Sequence, residues 1–304
     1  MEKRVGFIGL GTMGGPMARN VLRAGYPVTV YDVVPKAVDA LAAEGASAAK
    51  SPQEVGEYSD VVITMLPEPS HVLAVTMGPD GLYAGLAAGA THIDMSTIDP
   101  ATTQRCATEA AQRGIRMLDA PVGKSSAAAA AGELTIMVGG EQDLFEECRQ
   151  LLSTMGTTIH YCGPLGSGEV VKLVNNLVSG GILALVAEAA VLGAKAGVDP
   201  LILADVMKGT GAANWQLENT FRKGVFNGSF EPGFKVSLMH KDARLAMSMA
   251  TELGVPVPIS ALVKELYATA QARGLGDLDW GAYTTLVEEV ADVTARYGLS
   301  DVAT

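Results

Sequence analysis

Arg4-Val5-Gly6-Phe7-Ile8-Gly9-Leu10-Gly11-Thr12-Met13-Gly14 stands almost at the start of the chain, and its context decides the fold. Residues 4–9 have the apolar, β-branched character of a buried strand that stops at a glycine. Residues 17–22 (Met-Ala-Arg-Asn-Val-Leu) are helical in spacing and end at Gly25. Residues 26–32 (Tyr-Pro-Val-Thr-Val-Tyr-Asp) form the next strand. Strand, glycine turn, helix and strand within roughly 30 residues make a βαβ unit. Alone, the Gly-x-Gly-x-x-Gly spacing is weak. The strand before it, the helix after it and the acid ending the second strand make it specific.

Each glycine of the fingerprint has its own task. Gly9 permits the tight turn, Gly11 lets backbone approach a pyrophosphate, and Gly14 lets helix and strand pack closely. Thr12 and Met13 complete the loop, whose N–H groups and helix end favour the phosphate charge. Asp32 ends the second strand, where a carboxylate accepts from both ribose hydroxyls and repels a 2′-phosphate. Val33 and Val34 follow, with no Arg to receive that phosphate. The expected cofactor is NAD (NADH). Met65-Leu66-Pro67 and Ser96-Thr97 end later strands on the same carboxyl edge, where such sheets bind ligands.

Strand-like segments at 60–66, 92–96, 117–122, 134–138 and 158–161 alternate with helical stretches such as 101–113 and 142–154. Alternation on this scale predicts an α/β, doubly wound and mostly parallel Rossmann-type sheet. It stops at Gly163-Pro164-Leu165-Gly166, a breaker cluster. The expected domains are therefore 1–163, dinucleotide-binding, and 164–304, an all-helical substrate and oligomerisation domain. Helices are expected at 167–195, 199–208, 215–225, 236–253, 258–273 and 282–297, and 127–131 is a plain alanine helix.

The 304 residues carry a net charge of −11, with no basic stripe to neutralise phosphates, which argues against nucleic acid. Three widely spaced cysteines without a C-x-x-C pair suggest a reducing, cytoplasmic setting. No signal peptide is expected ahead of the first strand. No His, Cys and carboxylate cluster has metal-ligand spacing, so no metal is expected. Residues 177–194 are nearly apolar enough to span a bilayer, yet contain Gly180-Gly181 and Glu188 and lack flanking aromatic anchors. A helix buried on most sides between domains or subunits is expected, with no membrane partner and a homodimer or homotetramer as the assembly.

Within 166–179, Lys172, Asn175, Asn176 and Ser179 fall at i, i+3, i+4 and i+7 of a helix and share one face. An amine, two amides and a hydroxyl are costly to bury without partners. The stripe is either a wet surface or a catalytic amine held by an amide. Hydride transfer to or from carbon requires a group that moves a proton on oxygen, and an ammonium also stabilises developing alkoxide charge. His71, His92, His160 and His240 lie in unrelated contexts, and His92 and His160 read as strand residues.

Residues 7–18 (Phe-Ile-Gly-Leu-Gly-Thr-Met-Gly-Gly-Pro-Met-Ala), Asp94-Met95-Ser96-Thr97, Asp119-Ala120-Pro121-Val122, Gly166-x-Gly168-x-x-x-Lys172-x-x-x-Asn176 and His240-Lys241-Asp242 together resemble the β-hydroxyacid dehydrogenase family over nearly the whole chain. That family includes 3-hydroxyisobutyrate dehydrogenase and tartronate semialdehyde (2-hydroxy-3-oxopropionate) reductase. The resemblance implies that Lys172 donates and accepts the proton and Asn176 helps position substrate and Lys172. It also implies that Lys241 reaches towards the cofactor and that Ser96, Gly123 and Ser125 contact substrate.

One departure concerns the turn after Val122. The family usually continues Ser-Gly-Gly; here the run is Gly123-Lys124-Ser125-Ser126. A cation at this turn, with Asn175 and Ser179 on the helix, resembles the branch containing 3-sulfolactaldehyde reductase, although that branch usually shows Arg where Lys124 stands. A compact ammonium is a reasonable partner for a sulfonate; the alternative is Lys124 on the rim, in solvent. The leading expectation is thus an NAD-dependent oxidoreductase for a small anionic aldehyde and its hydroxy acid or alcohol. A non-catalytic dinucleotide-binding module is opposed by Lys172 with Asn176. An imine reductase would usually place another residue at the Lys position, and a 6-phosphogluconate dehydrogenase needs a much longer helical domain.

Overall fold

The computed structural model describes residues 3–297. Backbone contacts divide the chain into two compact units, Met1–Lys172 and Leu173–Thr304. The division falls inside the long helix Ser167–Lys195. The reason is local: Gly168 lies against the Met137 carbonyl and the Asp119 carboxylate, so the first turn of the helix belongs to the first unit.

The first unit holds a sheet of nine strands: β1 Val5–Ile8, β2 Val28–Tyr31, β3 Ser47–Ala48, β4 Val61–Thr64, β5 Thr91–Asp94, β6 Arg116–Asp119, β7 Val122–Gly123, β8 Leu134–Gly140 and β9 Gly156–Gly163. Their order is β3-β2-β1-β4-β5-β6-β8-β7, with β9 paired to β8. The first six pair in parallel, as a doubly wound sheet requires. β8 runs antiparallel to β6 and β7 and parallel to β9. The single strand expected at 117–122 is two short strands, because the chain breaks at Ala120-Pro121 and proline has no N–H for the ladder.

Side chains alternate across this sheet. Val5, Phe7, Val30 and Ile63 bury one face against Met17, Val21 and other apolar residues. Ile8 and Val62 bury the other against Val55, Val72 and Leu82. Burial on both faces explains the continuous apolar strands.

Helices build the second unit: most of Ser167–Lys195, then Pro200–Lys208, Val236–Glu252, Pro258–Ala270 and Thr284–Ala291. Its core gathers Leu183, Phe221, Phe226, Met239, Tyr267 and Trp280. The helix expected at 215–225 is irregular, a π-turn at Leu217–Phe221 and a 3-10 turn at Val225–Asn227 around Gly224. The helix expected at 282–297 stops at Ala291, where Asp292 turns left-handed.

The long helix is the one expected to be buried between domains or subunits. It is long and apolar enough to cross a membrane by length and composition, yet 39% of its apolar window is buried in the single chain. Val171, Val178, Leu185 and Leu192 recur every seven residues and are exposed, with Val174 beside them. A repeat of this period sets these side chains along one face of the helix.

Under the carboxyl edge of the sheet runs a buried polar chain. The Thr64 hydroxyl donates to Asp94 Oδ1 at 2.8 Å and sits 2.9 Å from His92 Nε2. Thr64 Oγ1 has one proton and gives it to Asp94, so the His92 Nε2–H donates to Thr64 and Nδ1 accepts from the Tyr83 hydroxyl at 2.9 Å. Burial pushes His92 down to about 4 from an ordinary 6.5, against the opposing pull of Asp94. The folded state thus keeps His92 neutral while the unfolded state protonates it below about pH 6.5, so its contribution to stability is present above that pH and is lost as pH falls towards 4. Unfolding free energy should drop by about 2 kcal/mol between pH 7.5 and 5 from this group alone. Urea titrations of native and His92→Gln proteins check it: the variant should show a flatter pH dependence by that amount, and equal slopes would place the acid sensitivity elsewhere.

Candidate active site

Register sets Ile8 beside Tyr31 and Thr64, Thr64 beside Asp94, and Asp94 beside Asp119. The turns leaving these strands therefore emerge side by side. Gly9 turns with φ +92 hard against β4, where a Cβ would strike the Met65 carbonyl. Gly14 lies on the Gly9 carbonyl, so helix Gly14–Arg23 rides directly on β1. At Gly11 the space a Cβ would take is open, and Gly11 and Thr12 are exposed while Met13 is half-buried. The helix has neither a side-chain cap nor an acid in its first turn, so its positive end is left for an anion. These residues fit the pyrophosphate of NAD.

Asp32 Oδ2 accepts the Leu10 N–H at 2.6 Å and Oδ1 accepts the Val34 N–H at 2.8 Å. It therefore shapes the glycine loop and caps its own turn. A carboxylate has about four lone-pair directions, which leaves room for ribose hydroxyls. Met65 and Leu66 are half-buried and Pro67 is exposed. The Leu66 N–H donates to the Ser96 hydroxyl at 2.9 Å, joining two of the turns. Ser96 is buried and Thr97 half-buried, and the Ser96 N–H donates to Asp94 Oδ1 at 3.1 Å.

Asp119, fully buried, spans the start of the Lys172 helix: Oδ1 accepts from Gly166 N–H at 2.7 Å and Oδ2 from Glu169 N–H at 2.9 Å. Burial pushes this carboxyl up, and the two amides pull it back down. Glu169, also buried, accepts the Ile98 N–H at 3.2 Å. Lys172 is 8% exposed. Gly123 is half-buried; Lys124 and Ser125 are exposed. Lys124 adopts φ +78, one of two non-glycine residues in the left-handed region among those described. Its amine donates to the Glu133 carbonyl at 2.6 Å.

In the second unit, Asn176 Nδ2 donates to Asp242 Oδ2 at 2.6 Å, and Lys241 Nζ lies 3.0 Å from Asp242 Oδ1. All three are nearly or wholly buried. Asp242 can only accept, so it fixes which end of the Asn176 amide is nitrogen. The Asn176 oxygen accepts from Asn175 Nδ2 at 3.1 Å; Asn175 is exposed and Ser179 half-buried. Lys172 and Asn176 are legible in the sequence, whereas the roles of Asp119, Glu169 and Asp242 are not. Asp119 and Asp242 stand in the quoted motifs, but spacing carries no trace of what a carboxylate touches. Among the described residues no group of three or more His, Cys, Asp or Glu side chains is placed to hold a metal. The cysteines are free, and burial pushes the Cys106 thiol up to about 11.

A doubly wound sheet with a dinucleotide cradle at the β1–β4 switch point, continued by a helix carrying a buried amine, defines a nicotinamide-dependent oxidoreductase. Residues 4–163 match the family model described as the NAD binding domain of 6-phosphogluconate dehydrogenase. Residues 166–287 match that described as the NAD-binding of NADP-dependent 3-hydroxyisobutyrate dehydrogenase. The chain is 40% identical to 3-hydroxyisobutyrate dehydrogenase of Pseudomonas aeruginosa, over 89% of this chain and 95% of that one. It is 38% identical to 3-sulfolactaldehyde reductase of Escherichia coli, over 96% and 98%. The solved structure of a Mycobacterium tuberculosis 3-hydroxyisobutyrate dehydrogenase with L-serine superposes with a TM-score of 0.87 at 33% identity, covering 94% of this chain and 99% of that one. The chain belongs to the β-hydroxyacid dehydrogenase family and is an NAD-dependent hydroxyacid dehydrogenase.

Asp32 generates a cofactor prediction. NADH should exceed NADPH by at least about tenfold in kcat/KM, roughly 1.4 kcal/mol, and Asp32→Ser with Val33→Arg should shift preference to NADPH. Steady-state kinetics with both cofactors test this, and equal use by the native enzyme contradicts it.

Proposed function

We propose that the chain interconverts a small aldehyde bearing an anionic tail and its hydroxy acid or alcohol, with Lys172 as the proton donor and acceptor. The observation that carries this reading is a nearly buried amine one helical turn before a nearly buried amide whose orientation Asp242 fixes. When bound, NADH supplies the hydride to the carbonyl carbon. Lys172 gives a proton to the carbonyl oxygen and stabilises the charge that develops there. Asn176 orients substrate and amine. Ser96, Gly123 and Ser125 hold the substrate, and the family resemblance gives Lys241 a cofactor-binding role.

Relatives of similar identity act on different substrates, so the tail is set by local residues. A carboxylate tail is the first reading, because the Lys124 amine is already occupied by the Glu133 carbonyl. The specific observation for a sulfonate is that Lys124 holds a left-handed conformation where glycine would be unstrained. In that reading Lys124, Asn175 and Ser179 receive the tail.

Two further expectations follow from the same residues. Lys172→Ala should lose about 10² or more in turnover and still bind NADH; near-native turnover would move the proton role elsewhere. Lys124→Gly should raise stability by about 1 kcal/mol by removing left-handed strain. A panel of sulfolactaldehyde, methylmalonate semialdehyde, tartronate semialdehyde and succinic semialdehyde then decides the tail. If Lys124 binds it, Lys124→Gly selectively lowers kcat/KM for sulfolactaldehyde by about tenfold or more. An unchanged ratio assigns the carboxylates.

For assembly, we propose a homodimer or homotetramer packed through the seven-residue stripe of the long helix. Light scattering should give two or four chains, and Leu185→Glu with Leu192→Glu should give one. A native protein that scatters as a single chain overturns the proposal.

A further inference from the structure

Three segments that are distant in sequence carry candidate site residues of the first unit: Ser96-Thr97 after β5, Gly123–Ser125 after β6, and Lys172 on the long helix. Two buried carboxylates tie them together. Asp119 leaves β6 and takes two backbone N–H groups of the helix start, one on each oxygen. Glu169, one turn before Lys172, takes the N–H of Ile98, the residue after Ser96-Thr97. The slot that holds Asp119 is closed by glycines. A Cβ at Gly139 would strike Asp119 Oδ1, and one at Gly168 would come within 2.8 Å of Oδ2 and onto the Met137 carbonyl. Gly166, at φ +92, turns the chain into this slot. The Asp119–Val122 motif and the Gly166–Asn176 motif are therefore the two halves of one joint.

Such a joint fixes both the height and the rotation of the helix at its first turn. Lys172 lies three residues past Glu169, before helix bending can accumulate. Displacing a reacting group by about 1 Å can cost on the order of 10² in rate, so rigidity at this point bears directly on turnover. A water-filled slot could not replace the carboxylate's paired acceptors without moving the helix, since both glycines already bring backbone to its oxygens.

We propose that Asp119 is a positioning residue for the reaction: its carboxylate, seated between Gly139 and Gly168, sets where the Lys172 amine stands relative to the Ser96-Thr97 turn. This rests on Lys172 being the proton group. The side chain has no contact with the reacting atoms in this scheme and acts only through the helix.

The test uses Asp119→Asn, which keeps the shape but turns one acceptor into a donor facing an N–H. Gly139→Ala is the second variant, pressing a methyl on Oδ1 with no change of charge. Each is assayed per NADH-binding site, counted by fluorescence titration, with Lys172→Ala in parallel. Both variants should bind NADH within about twofold of native, lose about tenfold or more in kcat, and show a larger primary deuterium isotope effect with 4-deuterated NADH. A purely structural cap would lower only the fraction of folded sites and leave kcat per site and the isotope effect unchanged. That result overturns the proposal, as does failure of both variants to give NADH-binding protein. If Lys172→Ala itself retains turnover, the proton assignment fails first; if it is inactive while Asp119→Asn is native-like, only the positioning role fails.

Discussion

Glycines packed against backbone carbonyls and a buried carboxylate hold the carboxyl edge of the sheet together. Gly14 sits on the Gly9 carbonyl, Gly168 on the Met137 carbonyl, and Gly139 on Asp119. No side chain fits at these points, and each brings a helix start or strand end to within hydrogen-bond reach of its neighbour. A buried polar group without a partner costs about 1–3 kcal/mol, so elements that meet this closely must satisfy one another. Most of the turns meeting at the sheet edge inherit their places from these contacts.

Acceptors dominate that edge. Asp32, Asp94, Asp119 and Glu169 each accept at least one backbone N–H from another turn or from their own. Carboxylates suit the task because strand ends and helix starts present surplus N–H groups. In the second unit the same logic runs through one acid, Asp242, which takes the Asn176 amide and lies beside the Lys241 amine. An acceptor-only partner makes the amide's orientation a consequence of structure, so the Asn176 oxygen is the end presented as acceptor.

Lys124 shows the opposite relation between local preference and context. Its left-handed backbone opposes intrinsic preference, and its ammonium finds a carbonyl nine residues on. The turn's shape is evidently set by the flanking strand β7 and the helix Ser126–Ala131, with the side chain accommodated afterwards. Backbone strain of this sort survives only where neighbouring structure imposes it.

The sequence by itself determined the first unit's βαβ opening, its cofactor cradle and the helical second unit, because these depend on short-range patterns: glycine spacing, strand period and helix period. It also placed Lys172 and Asn176 on one helix, since four residues make one turn. Helix ends where irregular turns intervene, at Leu217–Phe221 and Asp292, escaped it because those endings depend on packing and not on spacing. The antiparallel β8 and the interruption at Pro121 were equally invisible, since strand direction is chosen between distant segments. Tertiary structure alone decided that Asp119 caps the Lys172 helix, that Asp242 orients Asn176, and that the long helix keeps an open apolar stripe in the single chain. These are pairings across 47 and 66 residues of chain, or the absence of a covering partner, and sequence spacing holds no record of either.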